Sequence, residues 1–154
     1  MAVSATDSIV QSIVITAPIE RVWRAVSDSA AFGQWFGLTC DRPFEPGAQV
    51  GCAVTKPDEF AGTFFPIWIE EVSPPTRFSF RWHAYAVEPE EQATATTTLV
   101  TFTLEPHPEG TLLTIVESGF DDVPLERRAE AFASNSEGWR IQSENIAEYV
   151  AAHA

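Results

Sequence analysis

The sequence predicts an α+β fold: a curved antiparallel β-sheet of about six or seven strands wrapped around one long C-terminal helix, with two short helices after the first strand. Three observations predict it. Leu125–Ala152 (LERRAEAFASNSEGWRIQSENIAEYVAA) carries Phe132, Trp139, Ile146, Tyr149 and Val150 at helical spacing, with charged residues mostly between them. Residues 38–118 alternate apolar and polar side chains in short runs broken by proline and glycine. Between the first strand and these runs, one region has helical spacing. A single long helix needs a broad apolar surface to lie on, and a curved sheet supplies one.

Ser8–Ile15 (SIVQSIVI) is β-branched and apolar, a first strand. Pro18 then sits where a first helical turn tolerates it. Ile19, Val22, Trp23 and Val26 form the stripe of a short helix. Asp28-Ser29 ends that helix and caps a second holding Phe32, Trp35 and Phe36, kept short by Gly33 and Gly37. Leu38–Phe44 and Gln49–Thr55 flank the turn signal Glu45-Pro46-Gly47-Ala48 and read as a hairpin. Phe60–Val72 reads as a strand in which Pro66 marks a bulge or an edge. Ser73-Pro74-Pro75 turns the chain. Thr76–Tyr85 places Phe78, Phe80 and Trp82 on one face, and Arg77, Ser79, Arg81 and His83 on the other, with Arg81 and His83 expected at the surface. An acidic loop holding Glu88, Glu90 and Glu91 leads to Thr96–Glu105, and Thr111–Ser118 is the last strand. The long helix is weakest near Ser134–Gly138, where four weak helix formers surround Glu137 and leave an interruption open. No repeat or linker divides residues 1–154, so one domain is expected.

Composition excludes several classes. Net charge is −13, from 22 acidic against 9 basic residues. No basic stripe exists to release counterions from nucleic acid, and an anionic membrane surface is disfavoured for the same reason. No apolar run approaches the roughly 20 residues of a membrane span. The N-terminal MAVSATDS lacks the pattern of a signal peptide, which points to the cytoplasm. The two cysteines, Cys40 and Cys52, suit that compartment as free thiols; they can meet across the hairpin, which leaves a disulfide open. The three histidines are isolated, and no metal-ligand spacing, phosphate loop or nucleophile elbow occurs, so no metal and no cofactor is expected. The oligomeric state is not readable.

The order of elements resembles the helix-grip fold of the START-like superfamily. Locally, APIERVWRAVSD (Ala17–Asp28), QWF (Gln34–Phe36), PPTRFSFRW (Pro74–Trp82), GTLLTIVESGF (Gly110–Phe120) and EGW with IAEYV (Glu137–Val150) are similar to the activator of heat-shock protein 90 ATPase homologue family. The five segments, in order, span nearly the whole chain. The resemblance implies a domain that binds small apolar molecules, in a superfamily that also holds enzymes. It also implies a chaperone cofactor or stress-related role. The eukaryotic co-chaperone has a further N-terminal domain, which is expected to be absent because the chain begins almost at its first strand.

The aromatic load of 11 Phe, 5 Trp and 2 Tyr serves either a well-packed core or an aromatic pocket. The candidate ligand-binding residues are Trp35, Phe36, Phe65, Phe80, Trp82, Phe102, Glu117, Trp139, Gln142 and Ser143. Trp139 is expected first as a core anchor. Gln142 and Ser143 share its face, so either the helix is rotated to solvate them or they hydrogen-bond inside a cavity. Trp82 lies at its strand end, and its indole N–H needs an acceptor if buried. Leu113, Ile115 and Glu117 alternate onto one face. Solvation of Glu117 at the rim of the strand end is the simpler expectation. If that face is inward, Glu117 is the candidate acid or base, and Glu117→Gln is expected to be at least as stable as the native chain at neutral pH.

Three functions follow. The leading one is a non-catalytic binding domain, taking a small apolar or aromatic ligand between the C-terminal helix and the sheet. The second is a module that binds a chaperone or other protein partner through its acidic surface or the Glu88–Glu91 loop. The third is a cyclase- or hydrolase-type enzyme with Glu117 as the base.

Overall fold

The computed structural model describes residues 7–153 except 57, 86, 88, 92 and 93. The segment 1–6 and Glu88 of the acidic loop, both read above, lie outside the described residues. The elements follow in the order β1 (Ser8–Ile15), α1 (Ile19–Ser27), α2 (Ser29–Phe36), β2 (Leu38–Cys40), β3 (Gln49–Val54), β4 (Phe64–Ser73), β5 (Arg77–Trp82), β6 (Thr98–His107), β7 (Gly110–Ser118) and α3 (Leu125–Ala152). The sheet has seven strands in the order β1-β7-β6-β5-β4-β3-β2, every neighbouring pair antiparallel. Strands β1 and β2 therefore lie at opposite edges, joined by α1 and α2. This is the α+β helix-grip architecture.

Local chemistry explains the joints. The Asp28 carboxylate accepts from the Ala31 N–H at 3.0 Å and caps α2. Gly37 ends α2 at φ 94°, a left-handed conformation that side chains disfavour, with its N–H donating to Gly33 O at 2.9 Å. The turn between β2 and β3 closes through Ala48 N–H to Glu45 O at 2.9 Å. Strand β2 is shorter than its sequence implies. The Asp41 carboxylate accepts from Gly51 N–H at 3.0 Å, and Phe44 leaves the sheet to become a buried core residue. Strand β4 starts at Phe64 rather than Phe60, which falls on a 3-10 turn, Asp58–Phe60. Pro66 is paired only on its β3 side, since the β5 register begins at Trp68; the bulge lies between Ile69 and Glu71.

Helix α3 is the single long helix expected over Leu125–Ala152, and it runs unbroken through Ser134–Gly138, where the sequence left an interruption open. Propensity is a small term there beside tertiary contact. Asn135 spends its amide on groups outside the helix, and Trp139 is anchored in the core. The buried face of α3 is Ala131, Trp139, Ser143, Ile146 and Val150.

Between helix and sheet the space is filled by rings. Phe32 of α2 lies at its centre, with ring centroids 4.5 Å from Trp35, 5.3 Å from Phe44, 6.0 Å from Phe80 and 6.2 Å from Phe102. Trp35 donates its indole N–H to Ala25 O at 2.8 Å.

Candidate functional site

The open end of the grip is where β5, β6 and β7 meet the middle of α3. Strand β7 alternates strictly between buried and half-buried residues, and Glu117 falls on its inward face with Leu113 and Ile115. Glu117 is 0% exposed, so the rim expectation is overturned. Strand β7 is flanked by β1 and β6, with Ile9 and Val100 opposite Glu117, and Asn135 and Trp139 of α3 close over its carboxylate. Solvent therefore has no route to its carboxylate.

Four donors converge on that carboxylate. Oε1 accepts from the Trp139 indole at 2.8 Å. Oε2 accepts from the Trp82 indole at 2.8 Å and from Thr98 Oγ1 at 2.5 Å. The Asn135 amide N–H₂ bridges both oxygens at 3.1 and 3.2 Å and also reaches Ala84 O at 3.3 Å. Every partner donates, the arrangement an acceptor-only carboxylate takes. No ion pair with Glu117 occurs among the described residues. Its lone pairs are occupied, which leaves none aimed at a bound molecule.

Three of the groups that Glu117 holds, Trp82, Asn135 and Trp139, line a cleft open to solvent. Its main part, about 340 Å³, lies between the start of β4 and the chain leaving β5, against Phe36, Phe65, Trp82, Tyr85 and Asn135. A second part of about 200 Å³ runs under α3 beside Trp82, Gly138, Trp139 and Gln142. A third of about 320 Å³ reaches Gly37, Leu38, Val54 and Phe60. Phe36 borders all three. Trp82 and Trp139 lie 5.7 Å apart at 31°.

Of the residues singled out from sequence, Phe36, Phe65, Trp82, Trp139 and Gln142 come together along this cleft. Trp35, Phe80, Phe102 and Glu117 lie behind its wall. Gln142 donates to Phe36 O at 3.2 Å and accepts from Asn145 at 3.0 Å, which ties α3 to the end of α2. Ser143 is buried, and its hydroxyl donates to Arg140 O at 2.8 Å within the helix. The expectation of a surface His83 also needs correction, because the ring is half-buried edge-on to Trp68 at 5.4 Å. Its Nδ1–H donates to Thr96 O at 3.2 Å, and its Nε2 is buried without a partner. Arg81 does sit outside, paired with Glu70 at 3.2 Å.

Sequence reasoning missed Asn135 and Thr98. Asn135 stood among the weak helix formers, yet it lies four residues before Trp139 and so on the same helix face. Thr98 gave no signal of its own.

Among the described residues no cluster of His, Cys, Asp or Glu could hold a metal, and no helix is long and apolar enough to cross a membrane. The structure is similar to a crystal structure of a Mesorhizobium loti protein, at TM-score 0.75 and 24% identity, covering 96% of this chain and 98% of that one. It is similar to a Bacillus halodurans protein solved in solution, at TM-score 0.69 and 27% identity, covering 93% and 96%. DynU16, a protein in the dynemicin biosynthetic locus, is 30% identical at TM-score 0.71 over 94% of this chain, which spans 47% of DynU16. Among curated proteins the chain has no match. The model of the family described as activator of Hsp90 ATPase homolog 1-like protein matches residues 16–151, nearly the whole helix grip from the end of β1 to the end of α3. The chain belongs to that family.

Proposed function

We propose that the cleft binds a small planar, apolar or aromatic molecule without transforming it. The observation that carries this reading is the buried Glu117 holding Trp82, Trp139 and Asn135 in fixed orientation. Binding to walls already ordered avoids the entropy of immobilising side chains on association. Rings on several sides supply stacking area, and the amides of Asn135 and Gln142 supply polar edges. Catalysis is disfavoured because both oxygens of Glu117, the one buried carboxylate among the described residues, are engaged and shielded from solvent. Membership in the family and the likeness to a biosynthetic-locus protein support a ligand-binding domain.

Native mass spectrometry of freshly purified protein should detect a co-purified small molecule. A neutral naphthylamine probe should quench tryptophan fluorescence, and Trp82→Ala should weaken that binding about tenfold, the equivalent of about 1.4 kcal/mol. No retained molecule and no quenching in the native protein would sink the reading. A second reading has its own observation. Phe60 and Phe64 at the cleft's rim are 57% and 60% exposed, an apolar edge suited to a chaperone or other protein partner. Capture of such a partner that is lost in Phe60→Ser/Phe64→Ser, with probe binding unchanged, would favour it.

A further inference from the structure

We propose that Cys40 and Cys52 are a reversible redox pair, a site of intramolecular disulfide formation by exchange with a low-molecular-weight disulfide. The geometry comes from the β2–β3 hairpin. Cys40 stands directly opposite Cys52 in the register, and their sulfurs lie 3.6 Å apart. Asp41 N–H donates to Gly51 O at 3.0 Å and Thr55 N–H to Gly37 O at 2.8 Å. Those pairs hold the ladder's hydrogen bonds, so Cys40 and Cys52 occupy a non-hydrogen-bonded pair between them. Facing Cα atoms at such a pair are about 4.5 Å apart, inside the roughly 4.4–6.8 Å that a disulfide bridges. The pair can close with little movement of the backbone.

The two thiols are unequal. Cys52 is 0% exposed, whereas Cys40 is partly open on the three-residue strand at the sheet's edge. The two sulfurs share a hydrogen bond that either thiol can donate. That bond holds the Cys40 thiol below its ordinary range, and the same bond together with burial pushes Cys52 well above it. The accessible sulfur is thus the one that ionises first, the division of labour in an attacking and a resolving cysteine.

The steps balance. The Cys40 thiolate attacks one sulfur of a disulfide RS–SR, forming a mixed disulfide and releasing RS⁻. Capping Cys40 removes the thiolate that kept Cys52 protonated. Cys52 then loses its proton and attacks the Cys40 sulfur, and the second RS⁻ leaves. Overall, two protein thiols are oxidised and one small disulfide is reduced to two thiols. In the reducing compartment expected from the sequence, the reverse exchange restores the pair. The bond would pin β2 to β3 where Gly37, Leu38 and Val54 border the cleft, with Phe65 opposite Cys52 on β4. The proposal stands whether or not that cleft binds a ligand.

The test equilibrates the folded native protein in buffers of graded reduced and oxidised glutathione, followed by acid quench, alkylation and intact mass. The expected result is loss of two hydrogens with no glutathione adduct, reversed by dithiothreitol. Cys52→Ala should hold one glutathione on Cys40, and Cys40→Ala should stay unmodified. Two free thiols at every ratio, or a native protein that accumulates the glutathione adduct, would overturn the proposal. So would equal reactivity of the two variants in their folded state. The native arm needs no variant to fold.

Discussion

Two aromatic regions lie side by side under α3 and are held in different ways. Around Phe32, the rings of Phe44, Phe78, Phe80 and Phe102 are buried against one another, and Phe80 and Phe102 back onto Trp82 and Trp139. Nothing directional fixes them beyond shape, so the region is an ordinary close-packed core. At the cleft, Trp82 and Trp139 are equally aromatic, but each indole is aimed by a hydrogen bond to one carboxylate. Packing alone lets a ring settle where volume allows. A bond to a buried carboxylate fixes its azimuth as well, and so fixes the part of each ring that borders the cleft. The difference separates a scaffold from a preformed wall.

The bluntest way to break the comparison is truncation. Trp139→Ala should cost about 3–5 kcal/mol in denaturant melts, as large aromatics removed from cores do. Phe102→Ala should fall in the same range, since area dominates both. A Trp139→Ala loss under about 1 kcal/mol would show that the indole is not a core element.

Next in size is Glu117→Gln. The amide sets an N–H₂ against indole, hydroxyl and amide donors, and each donor left unpaired costs about 1–3 kcal/mol. The variant should therefore be clearly less stable at neutral pH, which reverses the tolerance expected from a lone inward carboxyl. Stability equal to the native chain would mean that the node of donors is not formed.

A finer test keeps the rings and removes only the N–H. Trp139→Phe deletes a bond to a carboxylate and should lose about 1.5–3 kcal/mol, beyond a small volume term. Trp35→Phe deletes a bond to the neutral Ala25 carbonyl and should lose about 0.5–1.5 kcal/mol. Equal losses would mean that the carboxylate holds its indole no more firmly than a neutral carbonyl does.

The smallest effect is expected on the outer face of α3. Arg140 pairs with Glu137 at 2.6 Å and Glu144 at 3.4 Å, all well exposed. The guanidinium hydrogen bond holds the Glu137 carboxyl below its usual range. A depressed folded value stabilises above the unfolded value of about 4.3 and is lost as pH falls through the folded one. Solvent screens such a pair, so Arg140→Ala should leave the neutral-pH melt unchanged. A measurable loss there would show that α3 depends on its solvent face.

The local patterns were written in the chain. Period-two alternation gave the strands that face the core, and the spacing from Phe132 to Val150 gave α3, because side-chain direction follows backbone geometry alone. The need of the Trp82 indole for an acceptor and the placement of Glu117 with Leu113 and Ile115 were each legible. Their meeting was not. Trp82 and Glu117 are 35 residues apart and not on paired strands, and Asn135 joins them from the stretch of α3 with the weakest helix formers. The inward face, the continuity of α3 and the partner of each polar group depended on which surfaces the sheet's curvature brought together. Burial turned those meetings into obligations, because a buried donor or charge without a partner is costly and the fold must supply one. Sequence set what each residue needed, and tertiary structure decided who met the need.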